Sequence, residues 1–179
     1  MPKYAPIQRL LHWLIALMAL CVLAVGLIFM ALGFDGVVKT FGQAGTDLLY
    51  KYHKTFGVII LAAMVLRLLA RLVHGAPPYA APLTPFEKAA SFVVHRALYL
   101  CLFAMPVLGW LATGASGYPV EFFNWRLPPI LPKSPPLGEA LYTAHGAVGL
   151  LLLCLIALHF GAALRHGLIK RDGVVSRML

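Results

Sequence analysis

The chain has 179 residues, of which 61% are hydrophobic and 12% charged, with a formal net charge of +9. Soluble domains carry about 25% charged residues, so this composition excludes a water-soluble globular class. The basic excess needs no nucleic-acid partner, because its distribution along the chain has a simpler explanation.

Crossing a bilayer takes ~20 apolar residues. The first stretch that qualifies, at about 10–34, follows "MPKYAPIQR". It is too long and unbroken for a cleaved signal peptide, and no small-residue cleavage site follows it, so it reads as a retained helix. The second, at about 48–73, follows "DGVVKTFGQAGTD", where Asp47 is the expected helix cap. A proline-rich connector comes next, and within it Thr84-Pro85-Phe86-Glu87 reads as a cap, a first-turn proline and a capping-box glutamate. The third stretch runs at about 89–113 and the fourth at about 138–164. Between them lies the longest connector, "ASGYPVEFFNWRLPPILPKSPPLGEA". Its prolines forbid a long helix. Its Tyr118, Phe122, Phe123 and Trp125 suit an aromatic belt at the membrane surface, with a docking surface for an outside partner as the alternative. The expectation is one all-α domain over 1–179, an integral membrane four-helix bundle.

With four spans, both termini share a side with the connector between the second and third helices. That side carries ten cations (Lys3, Arg9, Arg67, Arg71, Lys88, Arg96, Arg165, Lys170, Arg171, Arg177), against five on the other (Lys39, Lys51, Lys54, Arg126, Lys133). The positive-inside rule places both termini in the cytoplasm. Cys21, Cys101 and Cys154 all fall in apolar spans without metal-type spacing and read as packing residues.

Histidine gains nothing from lipid, and an ionisable group in a span is a functional-site hypothesis by default. His145 and His159 stand fourteen residues apart in the fourth span. At ~100° and ~1.5 Å per residue they share a face and differ in depth by ~21 Å. Each needs a partner at its own level. His53 in the second span matches the outer level of His145, while His12 and His95 both lie near the inner level of His159.

A flat macrocycle held by an axial imidazole lies against the ligand's own helix, so the residue four positions on, which shares that face, must be small. Those residues are Ala16, Gly57, Gly149 and Ala163 after His12, His53, His145 and His159. After His95, His74 and His166 they are Tyr99, Pro78 and Lys170. The pattern favours two b-type haems, with His53 and His145 on the outer iron and His12 and His159 on the inner one. The bland alternative is four histidines hydrogen-bonded to neighbouring helices, the small residues serving close packing.

Arg67 stands fourteen residues after His53, and Arg9 one turn before His12. Both suit a haem propionate, since guanidinium matches carboxylate bidentately, or else they are cations at the membrane edge. His95, His166 and Trp13 gather near the inner level, where a ubiquinone headgroup would need a proton-exchanging imidazole and an apolar wall. Packing and lipid-headgroup contact are the alternatives for these three.

"QRLLHW", "YKYHKTFGVIILAAMVLRLLARL" and "YTAHGAVGLLLLCLIALHFGAALRHG" together resemble the bacterial cytochrome b561 family of small dihaem membrane proteins. The resemblance implies His12, His53, His145 and His159 as iron ligands, and a multi-pass protein of the bacterial inner membrane. It also implies electron transfer between a quinone at the cytoplasmic side and a periplasmic partner. Some members are superoxide oxidases, so a quinone-linked oxidoreductase is the expected activity, and Lys51 and Lys54 beside His53 would make a positive lip that steers an anion. A cytochrome b anchor for a larger dehydrogenase is the alternative. A histidine-based proton or metal transporter is disfavoured by the scarcity of carboxylates in the spans.

Overall fold

The structure is a computed structural model that describes residues 2–78 and 83–179. Three long apolar helices dominate: α1 (Pro6–His74), α2 (Pro85–Ala115) and α3 (Pro135–Leu164). Each is long and apolar enough to cross a membrane. A short antiparallel hairpin, β1 (Val120–Phe122) and β2 (Trp125–Leu127), stands between α2 and α3. A wide π-type turn (Arg165–Lys170) and one 3-10 turn (Val175–Arg177) finish the chain.

Where the sequence suggests two separate helices, the structure shows one 69-residue element interrupted at Gly33 (φ 64°, ψ 176°) and Gly42 (φ 71°, ψ 168°). These backbone angles belong almost exclusively to glycine. They divide α1 into a first limb (6–32), a short helical arm (34–41) and a second limb (43–74). The limbs lie side by side, because the Gln8 side chain near the start donates to the carbonyls of Ala70 and Gly75 near the end. Asp47 is therefore not a cap. It sits inside the second limb and accepts from Gln43 one turn earlier, because the arm and the second limb stay helical where a loop is the sequence expectation.

The α2 start follows its sequence signature. Thr84 Oγ1 accepts from the Glu87 N–H, and the Glu87 carboxylate accepts from the Thr84 N–H, both closing the capping box. Glu87 also receives Arg165 at 2.7 Å and Lys170 at 2.6 Å, tying the foot of α2 to the turn after α3.

Burial is sparse and internal. Leu11, Ile15 and Ala19 of the first limb pack on Ile60, Ala63 and Met64 of the second. Cys101 joins Leu152 and Leu155 where α2 packs on α3. Leu17, Leu72, Leu100 and Leu158 face outward, as side chains that meet lipid do. The two halves, α1 and α2–α3, thus enclose a seam between α1 and α3, which touch each other little.

Candidate functional site: imidazole pairs across the α1–α3 seam

Four histidines project into that seam. His53 of the second limb faces His145 of α3 with ring centres 6.2 Å apart. His12 of the first limb faces His159 of α3 at 6.1 Å. An imidazole–metal bond is ~2 Å, and each ring nitrogen lies about 1 Å from its ring centre, so two rings gripping one metal sit ~6 Å apart. Both pairs have that separation. Among the described residues no group of three or more His, Cys, Asp or Glu is placed to hold a metal ion.

The outer pair (His53, His145) is positioned by backbone. His145 Nδ1 lies 3.0 Å from the Met105 carbonyl of α2. A carbonyl only accepts, so Nδ1 carries the proton and Nε2 keeps its lone pair for a metal, the arrangement that orients most metal-binding imidazoles. Two glycines that sequence reasoning passed over make room for these rings. A Cβ at Gly109 of α2 would stand 3.2 Å from His145 Cε1, and one at Gly26 of the first limb 3.4 Å from His53 Cε1. Nothing in the sequence marks them beyond being glycines in apolar spans. Phe29 lies 5.5 Å from the His53 ring and stacks on Tyr50 at 4.1 Å. His53 Nδ1 is buried without a well-formed hydrogen bond among the described residues. An apolar cavity of about 500 Å³ opens beside His53, with Val22, Val25, Phe41, Tyr52 and Phe56 in its wall.

The small residues one turn on differ in role. A Cβ at Gly57 would meet nothing within 4 Å, leaving open space over the His53 face. At Gly149 it would meet Met105 Cε at 3.5 Å, so Gly149 also serves α2–α3 packing.

At the inner pair a third imidazole intrudes. His95 of α2 lies 5.1 Å from His159. Its Nδ1 is engaged by its own helix, 2.6 Å from the Ser91 carbonyl. Trp13 packs edge-on to His12 at 5.1 Å and donates its indole N–H to the Met178 carbonyl. His166 is held by Asp172, Nδ1 to Oδ2 at 2.6 Å. The structure thus brings His12, His95, His159 and Trp13 together and turns His166 to the chain's last turn.

Two arginines border this level. Arg67 donates to the Tyr99 hydroxyl at 3.2 Å and to the Gln8 carbonyl at 3.3 Å. Guanidinium has five N–H donors, so Arg67 retains capacity for an anion. Arg9 Nε is buried with no partner among the described residues. An orphaned buried donor is costly, and a carboxylate such as a haem propionate would satisfy it.

The sequence pattern of the family described as prokaryotic cytochrome b561 matches residues 3–179. Cytochrome b561 homolog 2 of Escherichia coli (strain K12) is 28% identical over 99% of this chain and 91% of its own length. Cytochrome b561 homolog 1 of the same organism is 25% identical over 100% and 98%. A probable superoxide oxidase, CybB, of Yersinia pestis is 24% identical over 99% and 96%. The family implies haem b and a multi-pass protein of the bacterial inner membrane. The match spans nearly the whole chain, and the chain belongs to the prokaryotic cytochrome b561 family of membrane cytochromes.

Proposed function

We propose that the chain is a four-span dihaem cytochrome with both termini in the cytoplasm, carrying electrons between a periplasmic redox partner and a quinone at the cytoplasmic side. His53 and His145 hold the outer haem, His12 and His159 the inner. The observation that carries this reading is the recurrence, at two levels of one seam, of facing imidazoles 6.2 and 6.1 Å apart.

When bound, haem b supplies a reversible one-electron couple, and the protein supplies ligation, position and electrostatics. Met105 fixes the His145 tautomer. Gly57 leaves the face beside His53 open. Arg9 and Arg67 offer donors to propionates at the inner level. His95, exposed beside His159 with Nδ1 already engaged, presents its other nitrogen to a ubiquinone headgroup. Trp13 walls that space.

The relative described as a probable superoxide oxidase makes superoxide a candidate periplasmic donor. An anion-steering lip of Lys51 and Lys54 would favour it, but Lys54 is paired with Glu121 and Lys51 with Asn124. The reading therefore rests on electron transfer and not on that donor.

Oxidised and reduced spectra of purified protein, with pyridine haemochrome quantitation, test the proposal. Two haems per chain are expected. His12→Ala should lower the content, while His95→Ala should keep it and slow quinone reduction. Colourless protein overturns the reading, and haem loss in His95→Ala with retention in His12→Ala would reassign the inner ligand.

A further inference from the structure

Each outer histidine has a tyrosine one turn before it: Tyr50 before His53 in the second limb, and Tyr142 before His145 in α3. Three residues turn a helix by ~300° and displace it by ~4.5 Å, so each tyrosine shares a face with its histidine. Both elements run inward from the hairpin end, and helical Cβ atoms tilt toward the N-terminus. Both phenols therefore lean outward past the imidazole level.

Packing holds each ring at the edge of the seam. Tyr50 is half-buried and stacks on Phe29 of the first limb at 4.1 Å, and Phe29 lies 5.5 Å from the His53 ring. The Tyr50 hydroxyl makes no hydrogen bond among the described residues. On the other flank, the Tyr142 hydroxyl donates to Thr113 Oγ1 of α2 at 3.4 Å. That is longer than the usual ~2.5–3.0 Å of an O–H···O bond, so this donor is poorly used. Thr113 is buried and donates to the carbonyl of Gly109, the residue on which the His145 ring closes. One phenol thus stands beside the first-limb wall of the outer pair, the other beside its α2 wall.

The nearby lysines are turned elsewhere. Lys51 stands two residues before His53, ~200° around the helix and so on the opposite face, and donates to Asn124. Lys54 pairs with Glu121. A carboxylate at the outer level therefore meets neutral donors, whereas the inner level offers Arg9 and Arg67. Haem b carries its propionates together on one edge of the macrocycle, and hydrogen bonds to an ionised carboxylate are about twice as strong as neutral ones.

We propose that Tyr50 and Tyr142 are cofactor-binding residues, each donating its phenol O–H to one propionate of the outer haem. The inference rests on the dihaem reading above and deepens it: uncharged donors on two flanks hold the outer cofactor, guanidinium the inner. A mere aromatic-belt role would leave the cofactor indifferent to both hydroxyls.

Tyr50→Phe, Tyr142→Phe and the double variant keep both rings and remove only the donors. Haem release from detergent-purified holoprotein to excess apomyoglobin reads the grip on each cofactor. One phase should quicken several-fold in each single variant and further in the double variant. Arg9→Gln should quicken the other phase instead. In redox-difference infrared spectra the double variant should shift the propionate carboxylate bands. Potentiometric titration should show its outer midpoint lowered and its inner one unmoved. Wild-type release rates and carboxylate bands in the double variant, with both haems retained, overturn the clamp and leave the dihaem reading standing. Quickening confined to the phase that Arg9→Gln also quickens places the hydroxyls at the inner haem and overturns the clamp as well. Purified protein without pigment overturns the dihaem reading and the clamp together.

Discussion

His145 Nδ1 donates to the Met105 carbonyl across 3.0 Å, joining α3 to α2 at the level of the outer imidazole pair. The bond fixes which nitrogen is free, and Gly109, one turn after Met105, leaves the ring its space. The same few atoms therefore set both helix packing and the chemistry available to a metal.

Gly109→Leu should push the His145 ring from its seat, because even a Cβ would stand 3.2 Å from Cε1. Haem content should fall by about half, with the inner site retained, as read by pyridine haemochrome and redox titration. Undiminished haem in a folded variant would show that Gly109 serves packing alone.

On the dihaem proposal, Arg9→Gln removes a cation from the inner level, where a positive charge would stabilise the reduced, less positive iron site. The inner midpoint potential should drop by roughly 60 mV, the size of a tenfold change in a one-electron couple. Potentiometric titration checks this, and the outer potential should not move.

Thr84→Ala deletes the hydroxyl that caps α2. Losing such a cap costs about 0.5–2 kcal/mol. Thermal unfolding in detergent should show a lower midpoint with an unchanged absorption spectrum, since Thr84 lies at the foot of α2, away from both imidazole pairs.

Acid should loosen the last turn. Burial pushes the Asp172 carboxyl up, but the His166 and Val174 hydrogen bonds and the nearby Lys170 charge outweigh it and hold its pKa below the ordinary carboxylate value. A depressed pKa means the stabilising contribution is present above the unfolded value and lost as pH falls through the lowered one. Hydrogen exchange at the Val174 amide should therefore stay slow through mildly acidic pH and accelerate only below the usual aspartate range. Asp172→Asn should abolish that transition.

Much of the site was legible because helical geometry is regular. The fourteen-residue interval from His145 to His159 fixes a common face and two depths, and partners from α1 meet both. The capping box at Thr84 was equally plain, being a local device. Asp47 misled, since a capping residue type says nothing about whether the preceding glycine-rich segment stays helical. The hairpin went unread beneath its prolines, although "VEF" and "WRL" around Phe123-Asn124 carry the short alternation of paired strands. The Lys54–Glu121 pair could not be read at all. Its members are 67 residues apart, and only the fold brings an acid onto the supposed positive lip.

Gly33 and Gly42 adopt positive φ although a Cβ at either would meet nothing within 4 Å. What these positions demand is therefore handedness and not smallness. D-Alanine installed there by chemical synthesis mirrors those angles into ordinary extended backbone and should keep the two limbs folded together, whereas L-alanine, of identical volume, should pry them apart.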